Sequence, residues 1–141
     1  IEFYSQKFRD TYRDRIINFH PSILPEFKGL DGFGQTVRYH TKFCGSTVEI
    51  VDQVNDEGKI VMQTVRPMNT SIPIEHVRHE IFVQQCQALL QVAKWLAEGR
   101  IQISVREVTI QAAKFDNLEC CPSLDFDDAI ELAIHEDLKC F

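Results

Sequence analysis

The most constraining feature of the sequence is a long stretch of helical periodicity between Thr70 and Arg100, which reads TSIPIEHVRHEIFVQQCQALLQVAKWLAEGR. Pro73 is typical of a first helical turn, and Gly99 is typical of the residue that follows a helix end. Apolar side chains recur at the spacing of one helix face at Val77, Ile81, Ala88, Leu89, Val92 and Leu96. The pattern predicts a long helix that packs across one face of a sheet.

Alternating segments predict the strands of that sheet. Residues 46–54 and 58–67 alternate, and residues 55–58 (NDEG) have the composition of a turn, so the pair is expected to form a β-hairpin. The other predicted elements are helices over 6–14 and 35–41, a central strand over 15–19, one or two strands within 101–112, and an acidic helix that begins near Asp125. Strands and helices are interleaved, so the predicted fold class is α/β with an open sheet.

Composition excludes several classes of protein. The 141 residues suit one compact domain, and the formal net charge of −6 argues against nucleic acid as a partner. No apolar run approaches the roughly eighteen residues that a membrane-spanning helix needs. Five cysteines at irregular spacing indicate free thiols in a reducing compartment, which predicts a cytoplasmic protein.

Asn18 and His20 are the first candidates for chemistry. They lie two residues apart at the end of the strand predicted over 15–19, so their side chains should share a face. An amide can donate a hydrogen bond to a developing oxyanion, and an imidazole can transfer protons. Pro21 and Pro25 would stiffen the loop that follows. The alternative is a structural histidine beside a turn-forming asparagine, and the spacing alone leaves both interpretations open.

Other candidate groups are weaker. Asp56 lies in the NDEG turn, where an aspartate usually serves backbone hydrogen bonding, and composition does not separate it from Glu49 or the neighbouring acidic residues. Cys44 is favoured as a packed thiol over a nucleophile. His76 and His79 are favoured as a solvated helix face over metal ligands, since they lack the HExxH spacing.

Three stretches occur together in order: INFHPSILPEFKGLD at 17–31, GSTVEIVDQVNDEGKIVMQ at 45–63 and WLAEGRI at 95–101. They resemble the carboxyl-terminal half of the phosphoribosylglycinamide formyltransferase family, within the 10-formyltetrahydrofolate-dependent formyltransferase superfamily. The resemblance implies the carboxyl-terminal portion of a Rossmann-like fold. It implies a catalytic core over 1–101, with the family's early half absent, and a carboxyl-terminal extension of strands and acidic helix over 102–141 in the same domain.

The resemblance also implies a reaction. A formyl group would pass from 10-formyltetrahydrofolate, a co-substrate, to the primary amine of glycinamide ribonucleotide in purine biosynthesis, without a metal. The implied catalytic residues are Asn18, His20 and Asp56. Asn18 and His20 would stabilise the tetrahedral oxyanion, while Asp56 would hold the imidazole charged and help to move the proton.

Binding residues follow from the same resemblance. The implied folate pocket contains Ile1, Phe3 and Tyr4 and the backbone of Asp52, Gln53, Val54 and Asn55. Asn18 and Gln85 would bind the acceptor, and Gln85 stands where the family has a glutamate that contacts the substrate ribose. The altered positions Phe33 and Gln85 leave open formylation of another amine such as an amino sugar, and the missing early half and the acidic tail leave open a non-catalytic folate-binding or regulatory domain. The expected partners are therefore small molecules, with the tail as a candidate homodimerisation element.

Overall fold

The structure is a computed structural model that describes residues 4–51, 58–105 and 107–125. Its helices are α1 (Gln6–Thr11), α2 (Gly32–Arg38) and α3 (Ile74–Ala97). Its strands are β1 (Ile17–His20), β2 (Phe43–Ile50), β3 (Lys59–Pro67), β4 (Ile101–Ile103), β5 (Val108–Ile110) and β6 (Cys120–Cys121). The predicted α/β class with an open sheet is confirmed.

The main sheet has four strands in the order β1-β2-β3-β6, and every pair in it is antiparallel. The predicted hairpin is confirmed as the β2–β3 pair, although its turn at 55–58 lies largely outside the described residues. The expectation that the strand at 15–19 is central is wrong for the described part of the chain, where β1 is an edge strand. Among the described residues before β1, the regular element is the helix α1, so no described strand pairs with the other edge of β1.

Helix α3 packs its buried face against β2 and β3, as the periodicity predicted. Trp95, Ala88 and Val92 contact a cluster that includes Val48 and Met62. Two of the predicted core positions are wrong, because Leu89 and Leu96 remain 44% and 43% exposed. Each helical residue turns about 100°, which carries these two leucines onto the flank of the helix. Gln84 and Gln91 fill buried positions on the same helix instead.

The short helices differ from their predicted bounds. Helix α2 begins three residues earlier than the predicted 35–41, because the Asp31 carboxylate accepts a hydrogen bond from the Gly34 N–H at 3.2 Å and caps the first turn. Helix α1 ends at Thr11 rather than at residue 14 and contains no buried residue. Its aromatic neighbours Phe8 and Tyr12 contact each other, with ring centroids 4.7 Å apart.

The segment after α3 returns to the sheet. Gly99 has φ +67°, which supports its predicted place after the helix end, and β4 and β5 form a second antiparallel hairpin. Strand β6 then pairs with β3. The predicted acidic tail helix falls on residues 126–141, which lie outside the described residues. No described helix is long and apolar enough to cross a membrane.

Asp125 attaches the end of this returning segment to α3. Its carboxylate accepts hydrogen bonds from Gln91, Trp95 and Arg100 and also from the Lys94 ammonium. Burial raises the pKa of Asp125, but these donated hydrogen bonds outweigh that effect and hold its pKa well below the ordinary range for an aspartate. Asp125 therefore acts as a charged anchor between the returning segment and α3.

Candidate active site

The pairing of β1 with β2 decides which side chains meet. Asn18 lies opposite Glu49, and His20 lies opposite Thr47. Asn18 and His20 share one face of β1, as their spacing predicted, while Phe19 turns to the other face and packs against the core beneath α3. The sequence therefore directs the polar pair away from α3.

Glu49 joins the pair and completes a cluster of three side chains. Its Oε1 atom lies 2.7 Å from His20 Nε2 and 3.1 Å from Asn18 Nδ2, and these two nitrogens are 3.0 Å apart. Glu49 is only 4% exposed, and the His20 side chain is 16% exposed. The cluster thus contains a buried carboxylate in direct contact with the imidazole.

The sequence does not separate Glu49 from the other acidic residues around Asp56. Alternation correctly predicts that Glu49 and Thr47 share a face of β2, and the structure confirms this face. Alternation does not predict the register between β1 and β2, which decides that Glu49 lies opposite Asn18. The signal that the sequence carries is limited to the shared faces, with Asn18 and His20 on one face of β1 and Thr47 and Glu49 on one face of β2.

The loop that follows His20 is fixed by the neighbouring strands. The Thr47 hydroxyl accepts a hydrogen bond from the Leu24 N–H at 3.0 Å and donates one to the Ser22 carbonyl at 2.8 Å. Gln63 Nε2 donates to the Leu24 carbonyl at 2.9 Å and contacts the Thr47 hydroxyl at 3.1 Å. These bonds hold the chain directly after the catalytic candidate His20.

Thr47→Val should lower the free energy of unfolding by about 2 kcal/mol, because the substitution keeps the shape of the buried side chain but leaves the Leu24 N–H without its acceptor. Urea unfolding measures the effect. Thr109→Val is the matched control at an exposed strand position and should change stability by less than about 0.5 kcal/mol. Equal losses in both variants would contradict this account of the loop.

A cleft of about 660 Å³ lies on the other side of β1, between the loop that leads into α2 and the first half of α3. Gln85 lines it together with Phe19, Pro21, Phe33 and Arg78. The Arg78 guanidinium lies 5.9 Å from the centre of the Phe33 ring. Asn18 and His20 are not among its lining residues, so the cleft adjoins the polar cluster through Phe19 and Pro21, which flank His20 in the chain.

The other predicted site residues are placed as follows. Tyr4 is 47% exposed and its ring stacks on Phe8 with centroids 5.0 Å apart. The predicted residues outside the described part of the chain are Ile1, Phe3, Asp52, Gln53, Val54, Asn55 and Asp56. Their roles stay predictions.

Burial distinguishes between the two interpretations of Cys44. Burial raises the pKa of the Cys44 thiol, which donates a hydrogen bond to the Arg66 carbonyl at 3.7 Å, so Cys44 is a packed thiol. Burial likewise raises the pKa of Cys120 to about 11. Across residues 4–51, 58–105 and 107–125, no group of three or more histidine, cysteine or acidic side chains is arranged to hold a metal ion.

Known proteins share both the sequence and the fold of this chain. The family model described as formyl transferase matches residues 2–93. Phosphoribosylglycinamide formyltransferase of Haemophilus influenzae is 33% identical over 97 residues, which are 69% of this chain and 46% of the relative.

Two crystal structures extend the comparison. Glycinamide ribonucleotide transformylase 1 of Symbiobacterium toebii has a TM-score of 0.68 at 33% identity, and the match covers 74% of this chain and 49% of that one. Phosphoribosylglycinamide formyltransferase of Anaplasma phagocytophilum has a TM-score of 0.73 at 28% identity, and the match covers 84% and 57%. The chain spans about half the length of these relatives. Because the family model matches most of its length, including β1 with Asn18 and His20, the chain belongs to the formyl transferase family.

Proposed function

We propose that this protein transfers a formyl group from 10-formyltetrahydrofolate to the primary amine of glycinamide ribonucleotide, in the cytoplasm, as a step of purine biosynthesis. The observation that carries the proposal is the placement of Asn18 and His20 side by side at the end of β1, inside the segment that matches the formyl transferase family. The names of the relatives support the acceptor.

The proposed mechanism uses the donors of this pair. The acceptor amine attacks the formyl carbon, and the carbonyl oxygen becomes the oxyanion of a tetrahedral intermediate. N–H groups of Asn18 and His20 donate hydrogen bonds to that oxyanion, in a site where preorganised donors stabilise developing charge. Asp56 takes up the proton that the attacking nitrogen loses, and the folate nitrogen receives a proton as it leaves.

Gln85 is proposed to bind the acceptor in the cleft beside Pro21. Its neutral side-chain amide would form hydrogen bonds with hydroxyl groups of the acceptor. The proposed folate pocket combines Ile1, Phe3 and Tyr4 with the backbone of residues 52–55. No metal takes part in this reaction. A homodimer formed through the tail stays a prediction, as does the absence of a nucleic-acid partner.

We also propose that residues 1–101 are the catalytic core and that residues 102–141 extend the same domain. The pairing of β6 with β3 supports this division, since it adds a strand from the extension to the main sheet. The hydrogen bonds from α3 to Asp125 support it as well.

A second candidate function is formylation of a different amine. The observation that favours it is the neutral Gln85 in the cleft, accompanied by Arg78 over the Phe33 ring. An acceptor such as an amino sugar would then replace glycinamide ribonucleotide, while the chemistry at Asn18 and His20 stays the same.

The first experiment is an assay of formyl transfer with the longest natural protein that contains this sequence. Glycinamide ribonucleotide and a panel of amino sugars are compared as acceptors. We expect turnover with glycinamide ribonucleotide and a loss of at least about 10²-fold in kcat for His20→Ala, since the imidazole is part of the reacting site. His76→Ala, on the exposed first turn of α3, is the matched control and should leave kcat unchanged.

Each other result has a defined meaning. Turnover with an amino sugar alone would establish the second candidate. Folate binding without transfer to any acceptor would indicate a non-catalytic folate-binding domain. Full activity of His20→Ala would remove the proposed mechanism.

A further inference from the structure

We infer that Glu49 is a positioning residue that holds the His20 ring through Nε2, so that His20 meets the reacting groups through Nδ1. This inference rests on the proposed function for its catalytic consequence, while the contact itself is testable without any substrate. It assigns the orientation of the ring to Glu49, whereas the family resemblance gives Asp56 the part of holding the imidazole charged and helping to move the proton.

The strand register puts Glu49 in this position. Asn18 and Glu49 are directly opposite in the β1–β2 pair, and side chains opposite each other on one face lie within contact distance. His20 is two residues further along the same face. The side chains of Asn18 and His20 therefore both reach Oε1 of Glu49.

The hydrogens available decide which atom donates. A ring nitrogen carries at most one hydrogen, and an ionised carboxylate only accepts. The 2.7 Å contact between His20 Nε2 and Glu49 Oε1 has the length of a charge-assisted hydrogen bond, so Nε2 carries the hydrogen and donates it to Glu49. Asn18 Nδ2 donates to the same oxygen at 3.1 Å. The 3.0 Å approach of the two nitrogens is then a contact between donors, not a hydrogen bond.

This assignment leaves Nδ1 as the ring nitrogen of His20 that is available to the reacting groups. No residue described in the structure forms a hydrogen bond with Nδ1, whereas Nε2 donates to Glu49 and lies against the Asn18 amide. When the ring is protonated, Nδ1 carries the second N–H and can donate to an oxyanion. Asn18 also has a second N–H bond that can donate to an oxyanion. The two N–H bonds of an amide diverge too widely for one to point at Glu49 while the other points at His20, so the second bond is not used within the cluster. A carboxylate that orients one ring nitrogen while the other does the chemistry is the arrangement of catalytic triads.

Packing keeps the Glu49 carboxylate in place. Gly58 enters β3 beside it, and a Cβ atom built on Gly58 would lie 2.2 Å from both Cδ and Oε2 of Glu49. Only glycine leaves room for the carboxylate at this approach. Because the space is this tight, Gly58→Ala should displace the Glu49 carboxylate without altering its charge. The variant therefore tests whether the position of the carboxylate matters, whereas Glu49→Gln tests whether its charge matters.

The first test is a nuclear magnetic resonance measurement of the His20 ring in the protein without substrate. We expect a downfield, slowly exchanging proton on Nε2, and we expect it to move upfield and exchange faster in both Glu49→Gln and Gly58→Ala. Glu80→Gln is the matched control, since it removes a carboxylate paired with Arg66 at 3.0 Å elsewhere. A slowly exchanging proton on Nδ1 instead, or an Nε2 proton that is identical in Glu49→Gln and wild type, would overturn the inference.

The second test measures steady-state formyl transfer in the same variants. Glu49→Gln should lower kcat at least about 10-fold with both KM values within about twofold, because the ring loses its orientation but no substrate contact is removed. Unchanged kcat in Glu49→Gln, together with inactive His20→Ala, would overturn the positioning part. If wild type transfers no formyl group, the proposed function fails, and the Nε2 proton still decides the Glu49 contact.

Discussion

Asn18→Asp should lower kcat for formyl transfer by about 10³-fold or more. The variant keeps the size of the side chain but replaces a nitrogen that donates to Glu49 with an oxygen that only accepts. Loss of one donor to an oxyanion typically costs about 10²–10³-fold in rate, and a new negative charge near the oxyanion adds to that loss. Asn18→Ala is the matched variant, because it removes the donor without adding charge, and it should be the more active of the two.

Asn18→Asp should also destabilise the protein in a pH-dependent way. Two carboxylates in the position of the 3.1 Å contact cannot both be ionised without strong repulsion. The unfolded chain ionises the new carboxyl above about pH 4, so the stability lost in the variant should grow as pH rises from 5 to 8. Urea unfolding at both pH values measures this. A loss that is the same at pH 5 and pH 8 would show that the new carboxyl does not meet Glu49.

Asp125→Asn should lower the free energy of unfolding by about 3 kcal/mol, since it removes one partner from a mostly buried charge cluster. The Asp125 side chain is 13% exposed, and its two oxygens lie 2.6 Å from Arg100 Nη1 and 3.2 Å from Lys94 Nζ. In the variant, the new amide N–H₂ group faces donors rather than acceptors. Asp31→Asn is the matched control at an exposed ion pair with Arg38, and it should cost less than about 1 kcal/mol.

The same anchor predicts the direction of the pH dependence. The pKa of Asp125 is lower in the folded protein than in the unfolded chain, so its stabilising contribution is complete above the unfolded value and is lost as pH falls. The difference in unfolding free energy between wild type and Asp125→Asn should therefore shrink as pH is lowered from 7 towards 3. A difference that stays constant over this range would show that the carboxylate charge is not what anchors the returning segment to α3.

Spacing and alternation in the sequence correctly predicted which side chains share a face of a strand. The spacing of Asn18 and His20 predicted their shared face, and alternation predicted both the β2–β3 hairpin and the face of Glu49. The contact between Glu49 and His20 was not predictable in this way, because the two residues lie 29 positions apart and meet only through the register of β1 on β2. Periodicity identifies faces of elements, whereas register is set by the packing of the whole sheet.

The misplaced predictions have similar causes. Leu89 and Leu96 fit the helical spacing, but they lie on the flank of α3 outside the face that packs against β2 and β3, so both stay exposed. The acidic run at Asp125 predicts only the start of a tail helix. Its partners come from α3 and from Arg100, and nothing in the acidic run around it indicates that four side chains converge on it.

The position of β1 has a consequence for how chemistry and selectivity are divided. One edge of β1 pairs with β2, and among the described residues no strand pairs with its other edge. Paired strands lie about 4.8 Å apart, so any strand added at that edge would bring its side chains next to Asn18 and His20. The proposed reacting groups are thus supported from one side by Glu49 of β2, and a strand at the other edge would form the wall on the opposite side. A change in the side chains of that wall would change which acceptor fits beside Asn18 and His20, without disturbing the hydrogen bond that holds the histidine.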